Sequence, residues 1–174
     1  MAKVAFTKLG LKVNSDIKTV VFNEQNIEVK QYLPVSDKLD LIAKVINLSA
    51  DDNNFANPIK VEVYSTITII EAYTNITFTE KQKENITKLY DMISSSGMFN
   101  VIAENIPAEE LNNLFVGIED TIEAVYKYRN SLMGIFETIT TDYSNLNMDA
   151  TEIQKKLGDP ENMALLRDVL TKLG

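Results

Sequence analysis

The side chains in this 174-residue chain that carry acid–base or ligand chemistry are carboxylates, lysines, tyrosines and two arginines, because histidine and cysteine are both absent. Without histidine the chain has neither the usual general base near neutral pH nor the commonest metal ligand. Without cysteine it has no disulfide, no thiolate nucleophile and no Cys-based zinc site. Hydrolases built on Ser-His-Asp or Cys-His, zinc enzymes and His-ligated haem proteins are therefore excluded. Enzymes that run on carboxylates, lysine or tyrosine remain open.

Four clusters have residue types that chemistry requires. Asp51-Asp52-Asn53-Asn54 offers four oxygen-bearing side chains, but it lacks the ligand spacing and bidentate Glu of an EF-hand loop, so it reads as a solvated loop. Glu109-Glu110 and Glu119-Asp120 are adjacent acids. Neighbours on a helix point about 100° apart, so neither pair shares a proton as a catalytic dyad does. Favourable charge at a helix N-terminus accounts for Glu109 and Glu110. In "YKYRN" (126–130), Tyr126 and Arg129 stand at i, i+3. That spacing predicts a cation–π contact or an ion-pair knot in the core, with anchoring of a partner as the alternative. No Walker loop and no GxGxxG is present. The sequons at 75–77, 85–87 and 47–49 carry no weight without a secretory signal. No catalytic residue, metal or cofactor is expected.

The elements that would hold these residues follow from periodicity. "IKTVVF" (17–22) and "IEVKQY" (27–32) flank "NEQN", and Ile27 and Val29 alternate with Glu28 and Lys30, which predicts a hairpin with one buried face. "KVAF" (3–6) is a candidate third strand. Ser36 is the expected N-cap of a helix whose stripe is Leu39, Ile42, Ala43 and Ile46. Residues 49–58 form a loop. The run 59–75 is rich in β-branched residues, yet Ile59, Val63, Ile67 and Ile70 share a helical face behind an Asn57-Pro58 start, so helix is the reading. A helix over 79–97 is expected from a Thr79/Gln82 capping box, a stripe of Ile86, Leu89, Tyr90 and Ile93, and a stop at Gly97. A short helix covers 98–105. From Pro107 to about residue 141 the stripe Leu111, Leu114, Phe115, Ile118, Ile122, Val125, Arg129, Leu132, Met133, Phe136 and Ile139 predicts one long helix, with a bend at Gly117 or Gly134. Two short helices, 149–157 and 159–173, end the chain.

The resulting fold class is α+β, mostly α: a short N-terminal antiparallel hairpin or three-stranded sheet, then a helical bundle with one long helix. The expected organisation is a β-element over 1–35, a helical body over 36–148 and a C-terminal helical appendage over 149–174, together forming one folded unit. The apolar fraction of 45% and charged fraction of 24% are those of a globular protein. No apolar run approaches the roughly 20 residues that cross a bilayer, and no secretory core is present at the N-terminus, which predicts cytoplasmic synthesis without a membrane partner. The net charge of −8 opposes nucleic-acid binding. Residues 1–30 nevertheless carry five lysines against three acids.

The hairpin and its sequel, "VVFNEQNIEVKQYLPVSDKLDLI", resemble the start of tail assembly chaperones from tailed bacteriophages of Gram-positive hosts. Those proteins open on a β-element of the form FNGxxIxVxxYL and continue as helices; the matching residues here are Phe22, Asn23, Ile27, Val29, Tyr32 and Leu33. Glu24 and Gln25 stand where that pattern has its turn glycine. The resemblance covers residues 17–46. It implies a non-enzymatic protein in the infected host's cytoplasm that coats the tape measure protein and recruits tail tube subunits. The alternatives are a virion component such as a neck, connector or tail-completion ring subunit, and a phage inhibitor of a host defence protein. Homo-oligomerisation is expected. The candidate partner-binding residues are Tyr126, Arg129, Met133, Met163, Leu166, Leu170 and Leu173. The last four line a C-terminal stripe that packs on the long helix or docks on another chain.

Overall fold

The computed structural model describes residues 3–51, 55–131 and 133–134. It is α+β and mostly helical: a two-stranded antiparallel sheet followed, among the described residues, by six α-helices. The chain divides into two compact units, Met1–Tyr126 and Lys127–Gly174.

Strands β1 (Ile17–Phe22) and β2 (Gln25–Lys30) pair in register from Ile17↔Lys30 to Phe22↔Gln25. The two-residue loop has φ of 46° at Asn23 and 63° at Glu24. Positive φ at both central residues is the mark of a type I′ turn, whose twist suits a tight hairpin. One face carries Val20, Phe22, Ile27 and Val29 into the core. The expected third strand is not formed: residues 3–5 are irregular and Phe6–Leu9 make one 3-10 turn, closed by Gly10 at φ 62°. A left-handed glycine after a single turn ends the element before it can align with β1.

Helix α1 (Val35–Ser49) starts at Pro34 rather than Ser36, whose hydroxyl is spent on Asp37. The predicted stripe is also rotated. Leu41, Val45 and Ser49 are buried, Ile42 and Ile46 are half-buried, and Leu39 and Ala43 face solvent. This helix has apolar residues on several flanks, and the hairpin and α2 select which flank is covered.

The ambiguous β-branched run is helix α2 (Pro58–Tyr73), as the cap predicted. The Asn57 carboxamide accepts the N–H groups of Ile59 and Lys60, and Pro58 supplies a preset first turn. Residues 65–70 of α2 are buried on every side, so it is the central helix. Two threonine hydroxyls fold back onto carbonyls one turn earlier: Thr68 to Tyr64, and Thr74, the C-cap, to Ile70 at 2.7 Å. That internal satisfaction lets these two threonines sit in an apolar core.

The expected 79–97 helix is split into α3 (Glu80–Lys83) and α4 (Ile86–Ser96). The Thr79/Gln82 capping box is present, but Asn85 then accepts the Lys88 N–H at 3.2 Å and restarts the helix. Gly97, at φ 72°, closes α4 and opens α5 (Met98–Ala103). Helix α6 (Ala108–Arg129) is shorter than predicted. It runs unbroken through Gly117 and stops at Arg129, where the Ser131 N–H bonds the Tyr128 carbonyl at 3.0 Å and the Ser131 hydroxyl accepts the Gly134 N–H at 3.2 Å. A serine that caps the next turn, not a glycine, ends it. Gly117 has a different use: a Cβ there would lie 2.9 Å from Ile42 Cδ1, so its absence lets α6 approach α1.

Candidate protein-interaction surface

The polar interior of the first unit is organised by one carboxylate. Glu110 lies in the first turn of α6, and it is buried. Its Oε1 accepts the Leu33 N–H at 2.9 Å and the Tyr73 hydroxyl at 2.9 Å, while its Oε2 meets Lys38 Nζ at 2.8 Å. Lys38 Nζ also stands 4.5 Å from the centre of the Tyr32 ring. One side chain thus joins the end of the hairpin, α1, the end of α2 and the start of α6. Burial would push the Glu110 carboxyl up, but Lys38, the Leu33 amide and the Tyr73 hydroxyl together hold it below the usual carboxylate range. Burial, and then the Glu110 carboxylate itself, push the Tyr73 hydroxyl far up. Both carboxylate oxygens are engaged by groups from neighbouring segments, so the knot ties those segments together. The spacing of Glu109 and Glu110 suggested only a helix-end charge for Glu110. The signal available was a tyrosine and a lysine on other elements, which spacing along one helix does not register.

A cleft of about 400 Å³ lies between α2, α4, α5 and α6, lined among others by Val61, Ser65, Tyr90, Phe99 and Ile118. Tyr90 donates to Glu62 Oε1 at 2.6 Å. That carboxylate holds the Tyr90 hydroxyl above its ordinary value, with burial adding to the effect. Ser65 Oγ is buried there without a hydrogen-bond partner. Among the described residues no three acids gather as a metal site would require. Asp51 spends a carboxylate oxygen on the Phe55 N–H at 2.8 Å. The other three members of the 51–54 cluster lie outside the described residues.

Exposed apolar side chains concentrate at the N-terminus. Val4, Phe6, Leu9, Leu11 and Val13 are all more than half exposed, Phe6 at 73%. The outward face of β1 continues the series with Ile17 at 57% and Val21 at 67%. Such a run of large apolar side chains is the usual surface signature of a partner site, whereas single exposed ones are ordinary. Three lysines and no acid lie between residues 3 and 15, so this arm is basic while the chain as a whole is acidic.

The residues expected to bind a partner lie elsewhere. Tyr126 is not in the core: it is exposed, and its ring tilts against Phe55 with centroids 5.6 Å apart. Tyr126 closes the first unit; Arg129, half-buried in the last turn of α6, and Met133, exposed, belong to the second. Met163, Leu166, Leu170 and Leu173 lie outside the described residues, as do the two helices expected over 149–173. The period-two spacing of Val4 and Phe6, and of Leu9, Leu11 and Val13, signals a half-buried strand, whereas the chain turns at Phe6–Leu9 and leaves these side chains exposed. Among the described residues, no helix is long and apolar enough to cross a membrane. The chain matches no protein-family model, no curated protein and no solved structure.

Proposed function

We propose that this chain is a non-enzymatic phage assembly factor of the tail-assembly-chaperone kind, which binds the tape measure protein and recruits tail tube subunits. The observation that carries the binding half of this reading is the exposed apolar arm, Val4 to Val13, ahead of a well-formed core. The phage half rests on the resemblance of Phe22, Asn23, Ile27, Val29, Tyr32 and Leu33 to the chaperones' opening motif. An acidic body supports the role, because like charge keeps a complex with a long apolar partner dispersed. Apolar side chains on a short irregular arm suit a partner whose sequence varies along its length, since they impose little register.

Co-expression with a helical tape measure segment and a tail tube protein is the test. The expected result is co-purification, weakened about tenfold or more by the paired change Phe6→Ser and Leu9→Ser, which removes two large apolar contacts. Stoichiometric presence of the chain in purified particles would overturn the reading in favour of a neck or connector subunit. The open edge of β1, which is suited to strand pairing between subunits, supports that second reading.

A further inference from the structure

The hairpin has one covered edge and one open edge. On β2, the Glu28 N–H donates to Asn75 Oδ1 at 3.1 Å and Val29 forms a bridge with Thr74, so that edge is occupied. On β1 the register decides which groups face out. The Gln31 N–H bonds the Asp16 carbonyl at 3.0 Å, so the even-numbered residues of β1 exchange hydrogen bonds with β2. The N–H and C=O groups of Ile17, Thr19 and Val21 point the other way, and no third strand meets them among the described residues.

We propose that a second copy of this chain completes that edge, β1 against β1, antiparallel about a two-fold axis at Thr19, forming a four-stranded sheet. In this register Ile17 faces Val21 of the partner subunit, and Thr19 faces Thr19 of the partner subunit. All the outward peptide groups of the strand are then satisfied, by about six hydrogen bonds. The side-chain pairs are β-branched against β-branched, which stabilises adjacent strands. A shift of two residues one way sets Val21 against Ser15 of the partner subunit. The other shift sets Ile17 against Asn23 of the partner subunit, which is in the turn at φ 46° and outside the strand. Of these three two-fold registers, the sequence is therefore most complementary to itself in the one centred on Thr19.

Charge permits this arrangement. The like-charged contact between Lys18 and Lys18 of the partner subunit is diagonal, and Asp16 is two residues away on the same face of its own strand. The strand pair alone is smaller than the roughly 800 Å² per partner of a stable interface. Exposed Leu11 and Val13 flank it and extend it, so the dimer is expected to dissociate in about the micromolar range. This pairing goes beyond the assembly-factor reading and is measured on the purified chain alone, so its failure leaves that reading standing.

Analytical ultracentrifugation over a wide concentration range should show the mass rising to twice that of the chain. Thr19→Pro removes an N–H that the hairpin itself does not use, and proline is tolerated on an edge strand. It should weaken dimerisation about thirty-fold, from two lost hydrogen bonds and the bulk of the ring, while circular dichroism is unchanged. Thr19→Cys introduces the chain's sole cysteine at a hydrogen-bonded pair position, where Cα atoms lie about 5.5 Å apart, and oxidation should yield a linked dimer. A Glu28→Cys control on the covered edge should not cross-link. If Thr19→Pro disturbs the fold, Val21→Lys and the cysteine pair decide the question. A monomer at all concentrations, a ring of odd order, or an undiminished dimer in a folded Thr19→Pro variant would each overturn the proposal.

Discussion

Glu110 shows how one residue governs the first unit. It gathers a backbone amide, a phenol and an ammonium from three other elements, and each would be left wanting by its removal. Glu110→Ala should cost about 3–5 kcal/mol, since it strands buried donors and an ammonium together. Glu110→Gln keeps the shape and loses the charge, and should cost about 1–3 kcal/mol. The pH dependence follows from the lowered carboxyl. The ionised form is the one the fold prefers, so its contribution is complete above about pH 5, starts to fade near the unfolded value of about 4.3, and is lost as pH falls through the lower folded value. The stability gap between the parent and Glu110→Gln in denaturant titrations should therefore narrow as pH falls below the unfolded value of about 4.3; a gap that stays constant on acidification would contradict this. Glu24 offers the opposite kind of change. At φ 63° it occupies a conformation that glycine adopts freely, so Glu24→Gly should raise stability by about 1 kcal/mol in the same measurement. The turn glycine of the chaperone pattern is missing here, and the tight turn forms nonetheless, because the register and buried Ile27 and Val29 hold it closed.

At the scale of elements, Gly117 and Ile42 set the spacing of α1 and α6. Gly117→Ala alone gains helix propensity and meets Ile42 Cδ1 at 2.9 Å, two effects of opposite sign. In an Ile42→Val background that methyl is gone, and the same alanine should add about 1 kcal/mol relative to the Ile42→Val parent. A thermal-denaturation cycle over the four variants measures the coupling; no difference between backgrounds would mean that the contact is unimportant. The elements most legible in the sequence were those with local signals: the hairpin alternation, the Asn57-Pro58 start, the Thr79/Gln82 box and the Gly97 stop. The errors share a cause as well. The burial of Leu41 instead of Leu39 depends on where another element docks. The break at Asn85 and the stop beyond Arg129 come from short polar side chains that compete with the helix for backbone groups, and apolar periodicity does not register them. The candidate site was least legible of all: Glu110 is a meeting of distant elements, and the arm's alternation reads as a strand that does not form.

For the whole molecule, the telling feature is the composition of its central helix. Segment 58–73 is walled by α1, α4, α5 and α6, yet it is built from Val, Thr and Ile, residues whose stiff side chains favour extended chain. Its helicity is conferred by the enclosure. Outside that enclosure the same stretch should revert. A synthetic peptide spanning 57–75 is expected to give a β-type circular dichroism spectrum and to aggregate, where the intact chain is helical there; a helical monomeric peptide in buffer would refute this. The consequence reaches into biosynthesis. The ribosome releases this stretch before α4, α5 and α6, so each nascent chain passes through an interval in which its stickiest segment is made and its shelter is not. Slowing translation beyond codon 75 should lengthen that interval and lower the yield of native protein.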